Sequence, residues 1–503
     1  MSERLSAEHE RLGRIVTDII AQHARTLDTA RVCSEASPRE LERMFDEPLP
    51  REGTDALPLL ERFSREIAPH AMNIPSPRYY GLFNPTPLAV GVWADALCSA
   101  INQNGAVWRN SPTASVIEAR VIRWLCEIIG YGAESFGALA SGGSEANLIA
   151  LKCARDRAAN FVRDKGLRAA SLPATRTNGD ASPTRATAGN MVVYASEQCH
   201  YSFVKSVDIL GLGRENLRKV ATDERFHIRM DALRQEIERD LEAGNLPICI
   251  AGAAGATSTG IIDPLVELAD LAREYKLWFH VDGAYGGALA MSAKYKDRLR
   301  GIERADSVTI DPHKWMFVPF AAGALLVRDG AKVLRDAFDI TPEYLSEERG
   351  GEDVPFDFLR YGQLGTRRFN ALKIWFALKT LGTRGYAEII ERQIELTEYF
   401  AGRVATLEGF ERVGQVETAV CCLRFVPTEM RGSEGALMDN VQRDLQQRIE
   451  RSGEAWLSTT VLHGRRALRV NVNSFLTERR HIDDLVELLR RESRELLKAR
   501  KAV

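Results

Sequence analysis

The chain has 503 residues, 45% of them hydrophobic and 27% charged, an ordinary globular composition that excludes a collagen-like, coiled-coil or disordered protein. Its 67 Lys+Arg against 69 Asp+Glu leave a net charge of −2, so the overall balance offers nothing to a nucleic acid or an anionic membrane surface. A chain this long divides into more than one domain.

The N-terminus is charged, and no apolar run approaches the ~18 residues of a spanning helix, so a cytoplasmic protein is expected. Eight cysteines are scattered without a CxxC pair or a metal-ligand spacing; they read as reduced thiols, and no metal is expected. Leu12, Ile15, Val16, Ile19 and Ile20 recur at helical spacing and predict an amphipathic helix whose stripe must dock on something. The stretch up to residue 90 contains "PSPRYYGLFNPTP", too rich in proline for a helix interior or a central strand, and reads as an ordered covering segment.

From residue 91 to 372, helical segments such as "SEANLIALKCARDRAANFV" alternate with short apolar runs: "MVVYA", "PICIAGAAGAT", "LWFHVD", "DSVTID" and "GALLVR". Strands interleaved with helices predict a large α/β domain with a mostly parallel sheet covered on both faces. Within it, residues 165–190 are small and polar and read as a long surface loop. Residues 373–503 begin with a long helical stretch, continue with "AVCCLRFV" and "ALRVNVN", and end in a helix carrying Ile482, Leu485, Val486 and Leu489 on one face. They predict a smaller α+β domain, with Cys421 and Cys422 packed in its core.

Chemistry concentrates just beyond the apolar runs. "ALASGGSEANLIAL" sets Gly142, Gly143 and Ser144 directly before a helix, where exposed N–H groups and the positive end of the dipole suit a phosphate; a simple helix-capping turn has the same composition. Asp282 ends "LWFHVD", at a strand end where open α/β sheets bind ligands, although a turn-capping aspartate fits there too. His200 and Thr257 follow two other runs in the same sense. Lys314 follows "SVTIDPH" and precedes "WMFVPF"; a lysine in such apolar surroundings must lose its charge, find a partner or be bonded to something. A desolvated lysine, a strand-end aspartate, a phosphate-type helix start and a flat ring at His200 together describe a site for pyridoxal 5'-phosphate. The lysine would form a Schiff base, the aspartate would pair with the pyridinium nitrogen, and the helix start would hold the phosphate.

"SGGSEANL", "HVDGAYGG", "DPHKW" and "TRRFNALKIWF", in that order, resemble the motifs of the group II pyridoxal-phosphate-dependent amino-acid decarboxylases, which include aromatic L-amino-acid decarboxylase. The resemblance runs from about residue 70 to the C-terminus. It implies an aspartate-aminotransferase-type (fold type I) α/β enzyme that works as a homodimer, with residues 1–90 lying over the partner subunit. It implies Lys314 as the Schiff-base lysine, Asp282 as the pyridinium partner, His200 and Ala284 on the two faces of the ring, and Thr257 beside it. Gly143 and Ser144 would hold the phosphate, and His313 would lie next to the lysine.

By the same resemblance, Tyr344 in "DITPEYLSEERGG" returns a proton to the substrate carbon after CO2 leaves, where related aldehyde synthases carry phenylalanine. Asp311 stands where some relatives have asparagine. The loop "AINQNGAVW", expected to reach the partner's substrate pocket, carries Asn104 and Ala106 in place of a bulky apolar residue, which argues either against an aromatic substrate or for a roomier pocket filled from elsewhere, for example by Leu82 or Phe83. The expected reaction is decarboxylation of an L-amino acid, an aromatic one for preference. The alternatives are an acidic or aliphatic amino acid, aldehyde synthase or aminotransferase chemistry, and a catalytically silent binding protein. The intact set of Lys314, Asp282, His200 and Tyr344 argues against the last.

Overall fold

The computed structural model describes residues 2–167, 190–340, 356–432 and 435–501. Its strands in chain order are β1 (Tyr79–Tyr80), β2 (Phe136–Ala140), β3 (Met191–Ser196), β4 (Leu217–Val220), β5 (Leu246–Ala253), β6 (Trp278–Asp282), β7 (Ser307–Ile310), β8 (Gly323–Val327), β9 (Phe410–Val413), β10 (Val420–Phe425), β11 (Trp456–Leu462) and β12 (Arg465–Asn471). They form a seven-stranded sheet, β2-β8-β7-β6-β5-β3-β4, and a five-stranded sheet, β1-β11-β12-β10-β9. The chain divides into two compact units, one of residues 87–394 and 414–420, the other of residues 1–86, 395–413 and 421–503.

The first unit holds the seven-stranded sheet, and its strand directions decide where chemistry can gather. From β4 through β3, β5 and β6 to β7 every pairing is parallel. Strand β8 then runs antiparallel to both β7 and β2, and the two reversals return β2 to the direction of β7. The C-terminal ends of β2, β3, β5, β6 and β7 therefore open on one edge, the edge at which sheets of this kind bind ligands. Both β3, "MVVYAS", and β8, "GALLV", are buried along their whole length, as central strands covered on both faces must be. Against the sheet packs the helix Gly143–Ala158, whose predicted face of Ala146, Ile149, Ala150 and Cys153 is buried together with Asn147, Leu151, Ala154 and Asp156.

In the second unit β1 pairs in parallel with β11, so the proline-rich segment supplies a short edge strand, with Tyr79 stacked on Trp456 at 5.2 Å between ring centroids. The β11–β12 hairpin turns at His463 and Gly464, whose φ values of 45° and 74° are those a tight two-residue hairpin needs. Helix Ser2–Thr26 realises the amphipathic pattern, with Leu12, Ile15, Val16, Ile19 and Ile20 half-buried. The C-terminal helix Arg479–Lys501 buries Ile482, Leu485, Val486 and Leu489.

The chain passes from one unit to the other inside the helical segment Ala371–Ala405, at Ile394/Glu395, beyond Gly382, whose φ of 61° interrupts the helix. The sequence marks the start of this segment, near 373, and carries no compositional break at 394. Among the described residues no helix is long and apolar enough to cross a membrane.

Candidate active site

Strand β7 ends at Ile310, and the next four residues, Asp311 to Lys314, turn across the sheet edge. Asp311 is almost wholly buried, and its Oδ2 lies 2.9 Å from Lys314 Nζ. The same oxygen accepts the backbone N–H of Gly143 at 3.0 Å, so one carboxylate joins the lysine to the start of the helix that follows β2. A Cβ on Gly143 would lie 3.0 Å from Asp311 Oδ2 and 3.1 Å from the Ala284 Cβ, so glycine is what permits this approach. Burial would push the Lys314 ammonium down; the charges of Asp311 and Asp282 and the hydrogen bond to Asp311 outweigh it and hold Lys314 above the ordinary lysine range.

Asp282 ends β6, level with Thr309 on β7. Its Oδ1 accepts the Ala284 N–H at 3.2 Å, and its Oδ2 accepts Asn147 Nδ2–H at 2.9 Å. Beyond β3, His200 Nδ1 lies 2.9 Å from Ser202 Oγ, and the His200 ring packs on Tyr201 at 4.1 Å between centroids. Burial lowers the His200 pKa and keeps the ring neutral. His313 is buried, and its Nδ1 accepts the Ala322 N–H at 3.0 Å. Its Nε2 sits 3.7 Å from Asp311 Oδ2, and burial lowers its pKa as well.

The edge of the sheet thus gathers Gly143, Asp282, Ala284, His313 and Lys314 in one cluster through Asp311 and Asn147, and adds His200 through Ser202. Ser144, the second helical residue, is exposed, and Thr257 lies exposed in a turn beyond β5. Asn104 is taken up by the fold: its Oδ1 accepts the N–H groups of Ala106 at 3.2 Å and Arg367 at 2.9 Å. Ala106 is buried, and its carbonyl accepts the Leu359 N–H at 3.0 Å. In the other unit Leu82 is exposed and Phe83 is buried under the Arg469 guanidinium, 4.7 Å from the ring centroid. Tyr344 lies outside the described residues.

A family profile described as "Pyridoxal-dependent decarboxylase conserved domain" matches residues 38–426. The chain belongs to this family. The decarboxylase is 31% identical to the aromatic-L-amino-acid decarboxylase of Bacillus atrophaeus over 93% of each chain. It is 30% identical to an acidic amino acid decarboxylase of Xenopus tropicalis, covering 80% of this chain and 75% of that one. The crystal structure of Oryza sativa TDC with PLP and tryptamine matches the fold with a TM-score of 0.87 at 25% identity, over 97% of this chain and 98% of that one. The decarboxylase is accordingly a fold type I enzyme that uses pyridoxal 5'-phosphate to decarboxylate an amino acid.

The residues of the decarboxylase fit that cofactor. A lysine, a carboxylate and an imidazole meet at the open strand ends beside a helix start, which are the donors that an aldehyde, a ring nitrogen and a phosphate require. Asp311 Oδ1 is a buried carboxylate oxygen without a hydrogen-bond partner among the described residues, a sign that the cluster is built to face a further polar group. Sequence reasoning passed over the residues that bind this cluster together: Asn147, Ser202, His280, Thr309 and the central position of Asp311. The available signal was Asn147 itself, a carboxamide on the same helix face as Ala150, Leu151 and Ala154, its buried apolar neighbours one and two turns on.

Proposed function

We propose that the enzyme converts an aromatic L-amino acid to the corresponding amine and CO2, with Lys314 as the residue that binds the cofactor covalently through Nζ. Bound pyridoxal phosphate supplies an electron sink for the electrons released when the bond to the α-carboxylate breaks. Asp282 keeps a proton on the cofactor's ring nitrogen, and its two anchors, Ala284 N–H and Asn147 Nδ2–H, hold the carboxylate in place for that. His200 and Ala284 would hold the cofactor ring between them with Thr257 near it, His313 would stand beside Lys314, and the helix start at Gly143 and Ser144 would hold the phosphate. Tyr344 returns a proton to the substrate's α-carbon. The observation that carries this reading is the placement of Lys314, joined through Asp311 to the helix start at Gly143 and drawn on by the charge of Asp282, on the one sheet edge where the strand ends converge.

An aromatic substrate is supported by the relative from Bacillus atrophaeus, which matches along 93% of both chains. Leu82, Phe83, Asn104 and Ala106 are proposed to bear on the choice of substrate. A homodimer is supported by helix Ala89–Ile101, which exposes Trp93, Leu97 and Ile101 at four-residue spacing, an apolar stripe suited to burial against another copy of this chain. None of the eight cysteines is in a disulfide and seven are buried, as suits the reducing cytoplasm. The test is CO2 and amine release from the twenty common L-amino acids and a few non-protein ones. Turnover of tryptophan, tyrosine or phenylalanine above all others supports the reading, and preference for glutamate, aspartate or an aliphatic amino acid contradicts it.

A further inference from the structure

Asn147 lies in the first turns of the helix Gly143–Ala158 with only 1% of its surface exposed, and every hydrogen-bonding capacity of its carboxamide is used. One Nδ2–H goes to Asp282 Oδ2 at 2.9 Å and the other to Ser202 Oγ at 3.0 Å. Its Oδ1 accepts from Thr309 Oγ1–H at 2.7 Å and from His280 Nε2–H at 3.0 Å. The amide cannot be turned over, because that would set its oxygen against the acceptor-only carboxylate of Asp282. The far side is locked as well. His280 is completely buried, which keeps it neutral, so its Nδ1 accepts from Ser307 Oγ–H at 2.8 Å while Ser307 Oγ accepts Trp278 Nε1–H at 2.9 Å.

The same logic runs outward to His200. Ser202 Oγ takes a proton from Asn147, so its own hydroxyl proton is left for His200 Nδ1, which also receives the Ser202 backbone N–H at 3.3 Å. A neutral His200 then carries its proton on Nε2. We infer that Asn147 is a positioning residue that fixes both groups flanking the cofactor ring: it orients the Asp282 carboxylate directly and, through Ser202, holds His200 in the Nε2–H tautomer. This inference rests on the proposed roles of Asp282 and His200. Through one buried carboxamide, the group that holds a proton on the ring nitrogen and the group that packs on the ring face are set by the same residue, and His200 presents an N–H donor, not a lone pair, toward the site.

The test uses the full-length protein with histidine labelled by nitrogen-15, freed of cofactor, with the His200 signals assigned by their loss in His200→Gln. The expected result is a non-protonated Nδ1 and a protonated Nε2 at His200 in the wild type. Ser202→Ala, which leaves only the Ser202 backbone N–H on Nδ1, should measurably reduce that preference. Asn147→Asp, which keeps the size of the side chain but removes the donors to Asp282 and Ser202 and sets a second carboxylate against Asp282, should weaken pyridoxal phosphate binding on the order of 10-fold or more, read by titration of the cofactor-free protein. A wild-type His200 protonated on Nδ1 overturns the inference. Affinity within twofold of wild type in Asn147→Asp also overturns it. Should Asn147→Asp fail to fold, Ser202→Ala decides: unchanged His200 signals overturn the inference, and a reduced tautomer preference supports it. Lys314→Ala serves as the separating control, since cofactor capture as a covalent imine that survives in Lys314→Ala refutes the proposed site itself, whatever Asn147 does.

Discussion

Lys314 Nζ lies 2.9 Å from Asp311 Oδ2, and that same oxygen receives the Gly143 N–H at 3.0 Å. The lysine proposed to act as the nucleophile is thus held as an ammonium by a buried carboxylate, and its pKa is raised above the ordinary value. Asp311→Asn removes the nearer negative charge and the hydrogen bond that hold the Lys314 ammonium, so the lysine's pKa falls. We expect the pH–rate profile for cofactor uptake by the cofactor-free protein to shift to lower pH in Asp311→Asn, measured by absorbance after stopped-flow mixing. A profile that does not move, or moves to higher pH, contradicts the pairing.

The buried ion pair between Glu118 and Arg367 fixes the loop of Asn104 and Ala106. Glu118 Oε1 also accepts the Leu139 N–H, Arg367 N–H donates to Asn104, and Arg367 Nε is buried without a partner among the described residues. Removing the carboxylate strands a buried guanidinium, a loss of roughly 3–5 kcal/mol. Glu118→Ala should therefore lower the midpoint of urea unfolding, and a variant as stable as wild type would show that the pair contributes nothing.

His227 faces three carboxylates: Glu417 at 2.7 Å, Asp223 at 3.6 Å and the buried Asp263 farther off. The hydrogen bond to Glu417 is the main cause of a His227 pKa raised above its ordinary 6.5. A raised folded-state pKa contributes stability that is fully present below pH 6.5 and is lost as pH rises through the folded value. Glu417→Gln should accordingly cost about 1 kcal/mol at pH 6 and less at pH 8.5. Equal losses at both pH values in thermal unfolding would count against the pair.

Tyr344 stands in the segment "DITPEYLSEERGG" and is proposed to return the proton to the α-carbon. Without that proton donor, dioxygen would compete for the electrons left behind by the departing carboxylate. Tyr344→Phe should divert product from amine to aldehyde, ammonia and hydrogen peroxide, with one dioxygen consumed for each aldehyde formed. Chromatography of products alongside an oxygen electrode checks this, and amine formation at the wild-type ratio would remove Tyr344 from the role.

Gly143, Asp282 and Lys314 were legible in the sequence because each stands directly at the end of an apolar run, and a parallel sheet brings such ends to one edge whatever the loop lengths between them. The alternation of apolar runs with helical periodicity likewise marked five of the seven strands of the large sheet, β3, β5, β6, β7 and β8, whereas β2 and β4 were not read as strands. Asn147 was not legible, nor was its link to Ser202, because the partners of Asn147 lie 55 to 162 residues away and are chosen by how the helix packs on the sheet. The weight of Asp311 was hidden for a similar reason: its carboxylate meets Gly143 across 168 residues of chain. The passage between the two units at Ile394 leaves no mark in composition, since helical periodicity continues straight through it.

The most direct test of the central claim is to reduce the cofactor-loaded enzyme with borohydride and map the modified peptide by mass spectrometry. A lysine that holds the cofactor as an imine becomes permanently tagged through a secondary amine. The account predicts the tag on Lys314, within the peptide that carries "DPHKW", and its loss in Lys314→Ala. A tag on any other lysine, or full turnover by Lys314→Ala, would contradict it.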